Sequence, residues 1–156
     1  MCNTRSYAAC TVFEGKIVMS GGVFRSHGDI KSVEAYNCHI NKWTRLPDMK
    51  NKKASHETIS MGNNMFVIGG DFFKTCEVFD SFSRTFIAIK EMHGIYKVSS
   101  LPLVGIRNKI FVFSKLFCYT MKSFHIYDVL TNTWNVKENY VLKIKYVISC
   151  SKPPVV

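Results

Sequence analysis

Short runs of apolar residues, each ended by turn-forming residues, follow one another along most of the chain and return in the same arrangement. Lys16 to Gly22 (KIVMSGG) recurs 48 positions later as Asn64 to Gly70 (NMFVIGG), and recurs in weaker form a further 45 positions on as Lys109 to Lys115 (KIFVFSK). Runs of about five apolar residues bounded by Gly, Asn and charge favour β-strands. A period of 40 to 50 residues predicts a repeat fold built from small sheets.

A pair of aromatic residues forms a second landmark downstream of each apolar run. The two members lie seven positions apart in every repeat, as Tyr36 and Trp43, Phe79 and Phe86, and Tyr127 and Trp134. The residues between them are polar and turn-forming, so each pair predicts two strands joined by a reversal. The distance from the apolar run to the first aromatic residue varies, which indicates a loop there.

Each repeat therefore predicts four strands, which we call A to D. Strand A comes from the half-apolar segments 7–13, 55–61 and 98–106 that precede the apolar runs of strand B. Helical periodicity is absent, so helix should be scarce. The predicted fold class is all-β, a β-propeller of about three four-stranded antiparallel blades. The blades are expected at about 5–49, 53–92 and 97–136, within one domain over residues 1–156.

Glycine pairs follow strand B in the first two repeats, as Gly21 with Gly22 and Gly69 with Gly70. A chain that turns in a crowded place, where a Cβ atom does not fit and φ is positive, favours glycine. In the third repeat, Ser114 and Lys115 replace the pair. The aromatic pairs are expected to fill the wedge between blades.

These landmarks together resemble the kelch repeat. The first repeat is close to the full kelch pattern, from the basic Arg5 through Val18–Gly22 and Val33–Asn37 to Trp43 and 46–49 (LPDM). The second repeat has Phe86 in place of the tryptophan. The resemblance covers about residues 5 to 136 and implies a kelch-type propeller. Closed propellers have about four to eight blades, so three repeats predict an incomplete or open propeller, a partial or C-terminal fragment.

The C-terminal stretch predicts one further strand. Apolar residues alternate with polar ones over 140–148, as in a half-buried strand, and residues 149–156 form a tail with two prolines. The strand could begin a fourth blade or pair back on the third.

Composition narrows the function classes. The chain has a net charge of +10, from 21 Lys and Arg against 11 Asp and Glu. The basic residues are scattered, with no run of five and no helical stripe, which argues against a nucleic-acid partner. No apolar run reaches the length of a membrane span, and no signal peptide is recognisable. The expected location is the cytoplasm, with the nucleus as the alternative, and the six cysteines are expected to be reduced.

Catalytic and metal-binding patterns are missing from the sequence. No nucleophile elbow, phosphate-binding glycine motif, HExxH or CxxC spacing occurs. We therefore expect no enzyme activity, no metal and no cofactor.

The loops between strands B and C and between blades are the candidate binding surface. Kelch-like proteins hold segments of partner proteins with these loops, and here the loops combine cations with aromatic residues. Such a set suits an acidic or phosphorylated peptide. The candidate residues are Arg25, His27, Lys31, Lys53, Phe72, Lys74, Tyr96, Lys115 and Tyr119.

The resemblance implies two alternative roles. Many kelch-like proteins carry BTB and BACK domains and serve as substrate adaptors of cullin-RING ubiquitin ligases, which favours a protein-interaction module that recognises substrates. Other kelch-like proteins bind actin, which favours a cytoskeletal role. A truncated fragment without independent activity is the third alternative. BTB and BACK domains are not recognised in this sequence, so we expect no direct cullin binding, and the open blade faces predict association or instability.

Overall fold

The computed structural model describes residues 4–70, 75–92, 102–113 and 121–142. Within these ranges the chain forms twelve strands and one short 3-10 turn, η1 (Arg25–His27). Blade 1 contains β1 (Ala9–Phe13), β2 (Lys16–Ser20), β3 (Val33–Asn37) and β4 (Lys42–Leu46). Blade 2 contains β5 (Glu57–Met61), β6 (Asn64–Ile68), β7 (Cys76–Asp80) and β8 (Thr85–Ile89). Blade 3 contains β9 (Leu103–Ile106), β10 (Lys109–Phe113), β11 (Met121–Asp128) and β12 (Thr133–Leu142).

Each blade is a four-stranded antiparallel meander in which sequence neighbours pair. The all-β prediction and the number of sheets are confirmed. The first strands contact one another across the blades, β1 against β5 and β5 against β9. Within the described ranges the three sheets do not close into a ring.

The A–B hairpin of blade 1 shows how a two-residue turn produces this geometry. Glu14 and Gly15 both have positive φ, at 48° and 67°. Two positive φ values in a two-residue loop match the right-handed twist of antiparallel strands. The turn therefore delivers β2 back onto β1 in the register that pairs Phe13 with Lys16.

The glycine pairs have the conformation predicted for them. Gly21 and Gly22 have φ values of 55° and 97°, and Gly69 and Gly70 have values of 75° and 131°. A Cβ atom on Gly21 would overlap the Lys53 carbonyl oxygen and lie 2.6 Å from His56 Cε1. The chain segment that enters blade 2 thus crosses the end of β2 at the first pair, Gly21 and Gly22. Residues 114 and 115, which replace the pair in blade 3, lie outside the described residues.

Two apolar cores lie between the blades. The first joins Phe13, Val18 and Val33 of blade 1 to Met65 and Phe79 of blade 2. The second joins blade 2 to blade 3, with Phe66, Ile68, Ile110, Val112 and Tyr127 among its buried members. Opposite faces of the blade 2 sheet are buried in different cores, which is why its strands carry apolar residues at nearly every position.

The aromatic pairs are cross-strand neighbours, with ring centroids 5.1 Å apart for Tyr36 and Trp43. The other pairs are 5.0 Å apart, for Phe79 with Phe86 and for Tyr127 with Trp134. The pairs of blades 2 and 3 face the preceding blade, as expected for residues that fill a wedge. Trp134 Nε1 also donates a hydrogen bond of 2.7 Å to the Lys90 carbonyl, which ties blade 3 to blade 2.

The predicted strand over 140–148 is described only at its start. Residues 140–142 belong to the end of β12, where Leu142 pairs with Met121 of β11. This part of the stretch pairs back on blade 3. Residues 143–148 and the predicted tail lie outside the described residues.

Candidate functional site

The loop between β2 and β3 of blade 1, residues 21–32, is the loop between strands B and C that the structure describes in full, and we call it the blade-1 loop. Its tip is η1, closed by hydrogen bonds from His27 N to Phe24 O (2.8 Å) and from Phe24 N to Gly28 O (3.1 Å). The Phe24 ring stacks on the His27 ring with centroids 5.2 Å apart. Gly28 adopts φ 68° and ψ −153°, a conformation open only to glycine. The tip is therefore a defined turn.

Backbone hydrogen bonds fix the base of the blade-1 loop on both sides. Val23 N donates to Ser6 O at 2.8 Å, and Ser6 N donates back to Val23 O at 3.1 Å. On the other side, Gly22 N donates to Lys53 O at 2.8 Å. The segments that enter blades 1 and 2 thus clamp the loop between them, and its side chains are presented from a rigid base.

The exposed predicted binding residues of this loop are Arg25, His27 and Lys31. Lys31 Nζ lies 4.0 Å from Asp48 Oδ2, and Asp48 also accepts from Arg45 at 2.9 Å. Asp48 partly neutralises Lys31 at the base of the loop, and Asp29 lies between that base and the tip. The basic side chain at the tip is that of Arg25, next to the His27 ring. The structure brings these two predicted residues together on η1.

Lys53 was predicted as an exposed loop cation, and the structure corrects this expectation. Its side chain is 0% exposed. Nζ donates to Gly69 O at 3.3 Å, Thr75 O at 2.6 Å and Thr75 Oγ1 at 2.6 Å. Burial lowers the pKa of Lys53, and the Glu77 carboxylate opposes that shift. Lys53 holds blade 2 together and is not available to a partner.

Arg5 is the counterpart of Lys53 in blade 1. Its Nη1 donates to Gly21 O at 3.1 Å and Ser32 O at 2.9 Å, and its Nη2 lies 2.7 Å from Glu34 Oε2 in a buried ion pair. The two cations are 48 positions apart, the same offset as Gly21 and Gly69. That equal spacing was the signal in the sequence that could have assigned Lys53 to the interior.

Further polar groups are buried between blades 1 and 2. Ser20 Oγ and His56 Nε2 are hydrogen-bonded at 2.8 Å. Burial, with a smaller contribution from Lys53, lowers the pKa of His56 to about 3. The Glu77 carboxylate accepts from Lys50 N at 2.7 Å and from Asn51 N at 3.0 Å. Burial raises the pKa of the Cys76 thiol to about 11, so this cysteine is a poor nucleophile. These contacts support the structure of the blade junction.

The other five candidate residues, Phe72, Lys74, Tyr96, Lys115 and Tyr119, lie outside the described residues. In the described part of the chain, no group of three or more His, Cys, Asp or Glu is placed to hold a metal ion. The same ranges contain no helix long and apolar enough to cross a bilayer.

Comparison with family models identifies one repeat of the chain. The kelch motif model matches residues 4–50, which is blade 1 with its entering and leaving segments. Blade 1 therefore matches the kelch motif. The glycine pair, the aromatic pair and the buried Arg5 all lie within the matched kelch motif.

Curated relatives are kelch-like proteins. The chain is 32% identical to Kelch-like protein 25 of Rattus norvegicus over 80 residues. These residues cover 51% of this chain and 13% of the relative. Kelch-like protein 40 of Xenopus tropicalis is 34% identical over 77 residues, or 49% of this chain and 12% of the relative. Kelch-like protein 8 of Caenorhabditis elegans is 36% identical over 56 residues, which cover 36% of this chain and 8% of the relative. The aligned part is thus a small fraction of each relative's length.

A solved structure confirms the kelch-type propeller fold. The structure of YjhT superimposes with a TM-score of 0.71 at 17% identity, over 87% of this chain and 52% of that chain. The three kelch blades therefore correspond to about half of a larger propeller. Kelch repeats of this kind indicate a protein-interaction module.

Proposed function

We propose that this kelch chain recognises an acidic or phosphorylated segment of a protein partner through the tip of the blade-1 loop. The observation that carries the proposal is the position of Arg25 and His27, two exposed cationic or hydrogen-bonding side chains on one turn whose base is held by backbone hydrogen bonds. A rigid loop loses little conformational entropy on binding, which favours affinity.

The chemistry of the tip suits a carboxylate or phosphate group. A guanidinium donates two parallel hydrogen bonds to either group, and these charge-assisted bonds are shorter and stronger than neutral ones. The neighbouring Phe24 and His27 rings, 5.2 Å apart, offer a flat surface for an apolar or aromatic residue of the same segment. An acidic residue next to an aromatic one is the simplest ligand that uses both features.

The biological role that we propose is substrate recognition for a cullin-RING ubiquitin ligase adaptor of the kelch-like family. The match to Kelch-like proteins 25, 40 and 8 supports this role. The proposed location is the cytoplasm, with the nucleus as the alternative. Actin binding is the competing proposal, and the experiment below separates the two.

Peptide binding tests the proposal directly. Fluorescence anisotropy would compare three labelled peptides of one length: one rich in Asp and Glu, its phosphoserine version, and a neutral Asn and Gln version. Arg25→Ala should weaken binding of the acidic peptides about tenfold, because a lost charge-assisted bond is worth about 1.5 kcal/mol or more. Lys42→Ala is the matched control, since Lys42 is an exposed cation at the opposite end of blade 1.

Three results would contradict this function. Equal losses from both variants would indicate general charge attraction instead of a site. Equal affinity for the neutral peptide would exclude recognition of acid groups. Co-sedimentation with actin filaments that survives moderate salt, without peptide binding, would favour the cytoskeletal role.

A further inference from the structure

The two outer faces of the described blades carry the same apolar pattern as the faces that are buried inside. We call the face of a blade that looks toward the preceding blade its leading face and the opposite one its trailing face. The leading face of blade 2 presents Met65, Val67 and Phe79, each 0% exposed against blade 1. The leading face of blade 3 presents Ile110, Val112 and Tyr127 in the same register against blade 2.

Blade 1 repeats this leading face with apolar residues at the same positions. In blade 1, Tyr36 pairs with Ile17 on one side and with Trp43 on the other. In blade 2, Phe79 pairs in the same way with Met65 and with Phe86. Ile17, Met19, Tyr36 and Trp43 are only partly buried in blade 1. Val12, on the same face beside Ile17, is 66% exposed. None of the described residues supplies a blade that covers this face.

The trailing face of blade 3 is the opposite end of the same pattern. On blade 2, Ile59, Met61 and Phe66 pack against blade 3. The residues 45 positions later are Val104, Ile106 and Phe111, which are also apolar. On blade 3, Val104 is 43% exposed and Ile106 is 55% exposed, whereas Phe66 on blade 2 is 2% exposed.

The trailing face of blade 3 and the leading face of blade 1 therefore carry apolar residues at the same positions as two faces that pack on each other between consecutive blades. One copy of the chain corresponds to 52% of the YjhT propeller, so two copies supply about one full circuit. We propose that two copies of this chain associate head to tail into one six-bladed ring, with blade 3 of each copy packed on blade 1 of the other.

Surface area favours the closed ring over a single contact. A sheet of four strands spaced about 4.8 Å apart, with five residues of about 3.3 Å each, covers roughly 300 Å² in projection. A single contact would bury two such faces, roughly 600 Å², which is less than specific interfaces bury. Ring closure buries four faces, roughly 1,200 Å², which reaches the range of specific interfaces. A head-to-tail contact is self-limiting only when it closes in this way.

Light scattering coupled to size-exclusion chromatography would test the ring with the 156-residue chain. The expected mass is about twice the 17.9 kDa of one chain. The leading-face variant Val12→Asp with Met19→Asp and the trailing-face variant Val104→Asp with Ile106→Asp should each halve that mass. The control Phe82→Asp with Leu130→Asp changes side chains that are 96% and 77% exposed at the C–D turns, away from both faces, and should stay at twice the chain mass.

Circular dichroism of every variant keeps the test independent of folding, because a monomeric variant with the wild-type β spectrum has lost association and not structure. A monomeric wild-type chain would overturn the proposal. So would a dimer broken by the leading-face variant alone, because that result means two blade 1 faces pack on each other. Assemblies larger than two copies would overturn it as well, since they indicate an open head-to-tail chain.

Discussion

Two buried cations, Arg5 and Lys53, occupy equivalent places at the entrance of consecutive blades. Each donates to the carbonyl of the first glycine of its pair. Each also donates to a carbonyl two positions before a buried glutamate, that of Ser32 before Glu34 for Arg5 and that of Thr75 before Glu77 for Lys53. Carbonyl groups left without a donor in the interior are costly. The cation therefore satisfies the backbone at the point where the glycine turn breaks the sheet ladder.

Replacing Lys53 should show whether the donors or the charge matter. Lys53→Met removes three hydrogen bonds from buried acceptors and should lower the free energy of unfolding by about 2 to 4 kcal/mol. Lys53→Arg should retain most of the stability, because arginine fills the equivalent place in blade 1. Urea unfolding followed by circular dichroism measures both. A Met variant as stable as the wild type would show that Lys53 is dispensable.

His56 predicts a pH dependence of stability. Its pKa is about 3 in the folded chain and about 6.5 when unfolded, so the unfolded chain binds the proton more readily. Stability is thus complete above pH 6.5 and falls as the pH is lowered toward 3, with a loss of about 2 kcal/mol by pH 5. His56→Gln should remove this part of the slope. Unfolding curves from pH 7.5 to 4.5 measure the difference, and parallel slopes would refute it.

Single residues were the part of the molecule that the sequence predicted least well. A lysine in a polar linker, such as Lys53 between Lys52 and Ala54, has the local sequence of a solvated side chain. Its burial depends on Gly69 and Thr75, which lie 16 and 22 positions away in the sequence. The pairing of Arg25 with His27 was predictable in part, because the two residues are close in sequence.

At the scale of elements, the glycine pairs determine how one blade leads into the next. Gly21 combines a φ of 55° with contact to the strand-entry segment of blade 2, whereas Gly62 has a φ of 58° in an open A–B turn. Substitutions at these two glycines therefore distinguish the free-energy cost of the backbone conformation alone from the added cost of a crowded Cβ atom.

Alanine at these two positions should give clearly different losses. Gly62→Ala should cost about 1 kcal/mol, the cost of a left-handed conformation in a residue with a Cβ atom. Gly21→Ala should cost about 3 kcal/mol or more, because its Cβ atom would also overlap backbone at Lys53. Denaturant midpoints of the two variants give the comparison. Equal losses would show that crowding at Gly21 is relieved by small shifts.

Elements and their order could be predicted from the sequence because each blade is a local structure. The hairpin turns, the apolar runs and the seven-residue aromatic spacing all lie within about 40 residues, so the strands that they predict do not depend on distant chain segments. The predicted starts of the A strands were less accurate. Residues 55 and 56 were included in strand A, yet β5 begins at Glu57, because Ser55 and His56 form contacts with blade 1 instead of with β6.

At the scale of the whole molecule, three blades of kelch type leave one leading face and one trailing face with apolar residues. Large exposed apolar surfaces mark binding sites for proteins, membranes or ligands, or sites of aggregation. If the ring forms, the stability of each copy depends on protein concentration, since the folded faces gain free energy from the partner copy. The blade-1 loops would then occur twice per assembly, on opposite sides of the ring axis.

The meander topology also determines the order in which the chain acquires structure during synthesis. Every strand pairs with its sequence neighbours, so β1 to β4 have all their partners once residue 46 has left the ribosome. Pairings between strands that are close in sequence have a low entropic cost and form quickly. Each completed blade then presents a finished surface on which the next one condenses. During growth from the N-terminus, the leading face of blade 1 and the trailing face of the blade finished last are therefore the faces that await a partner.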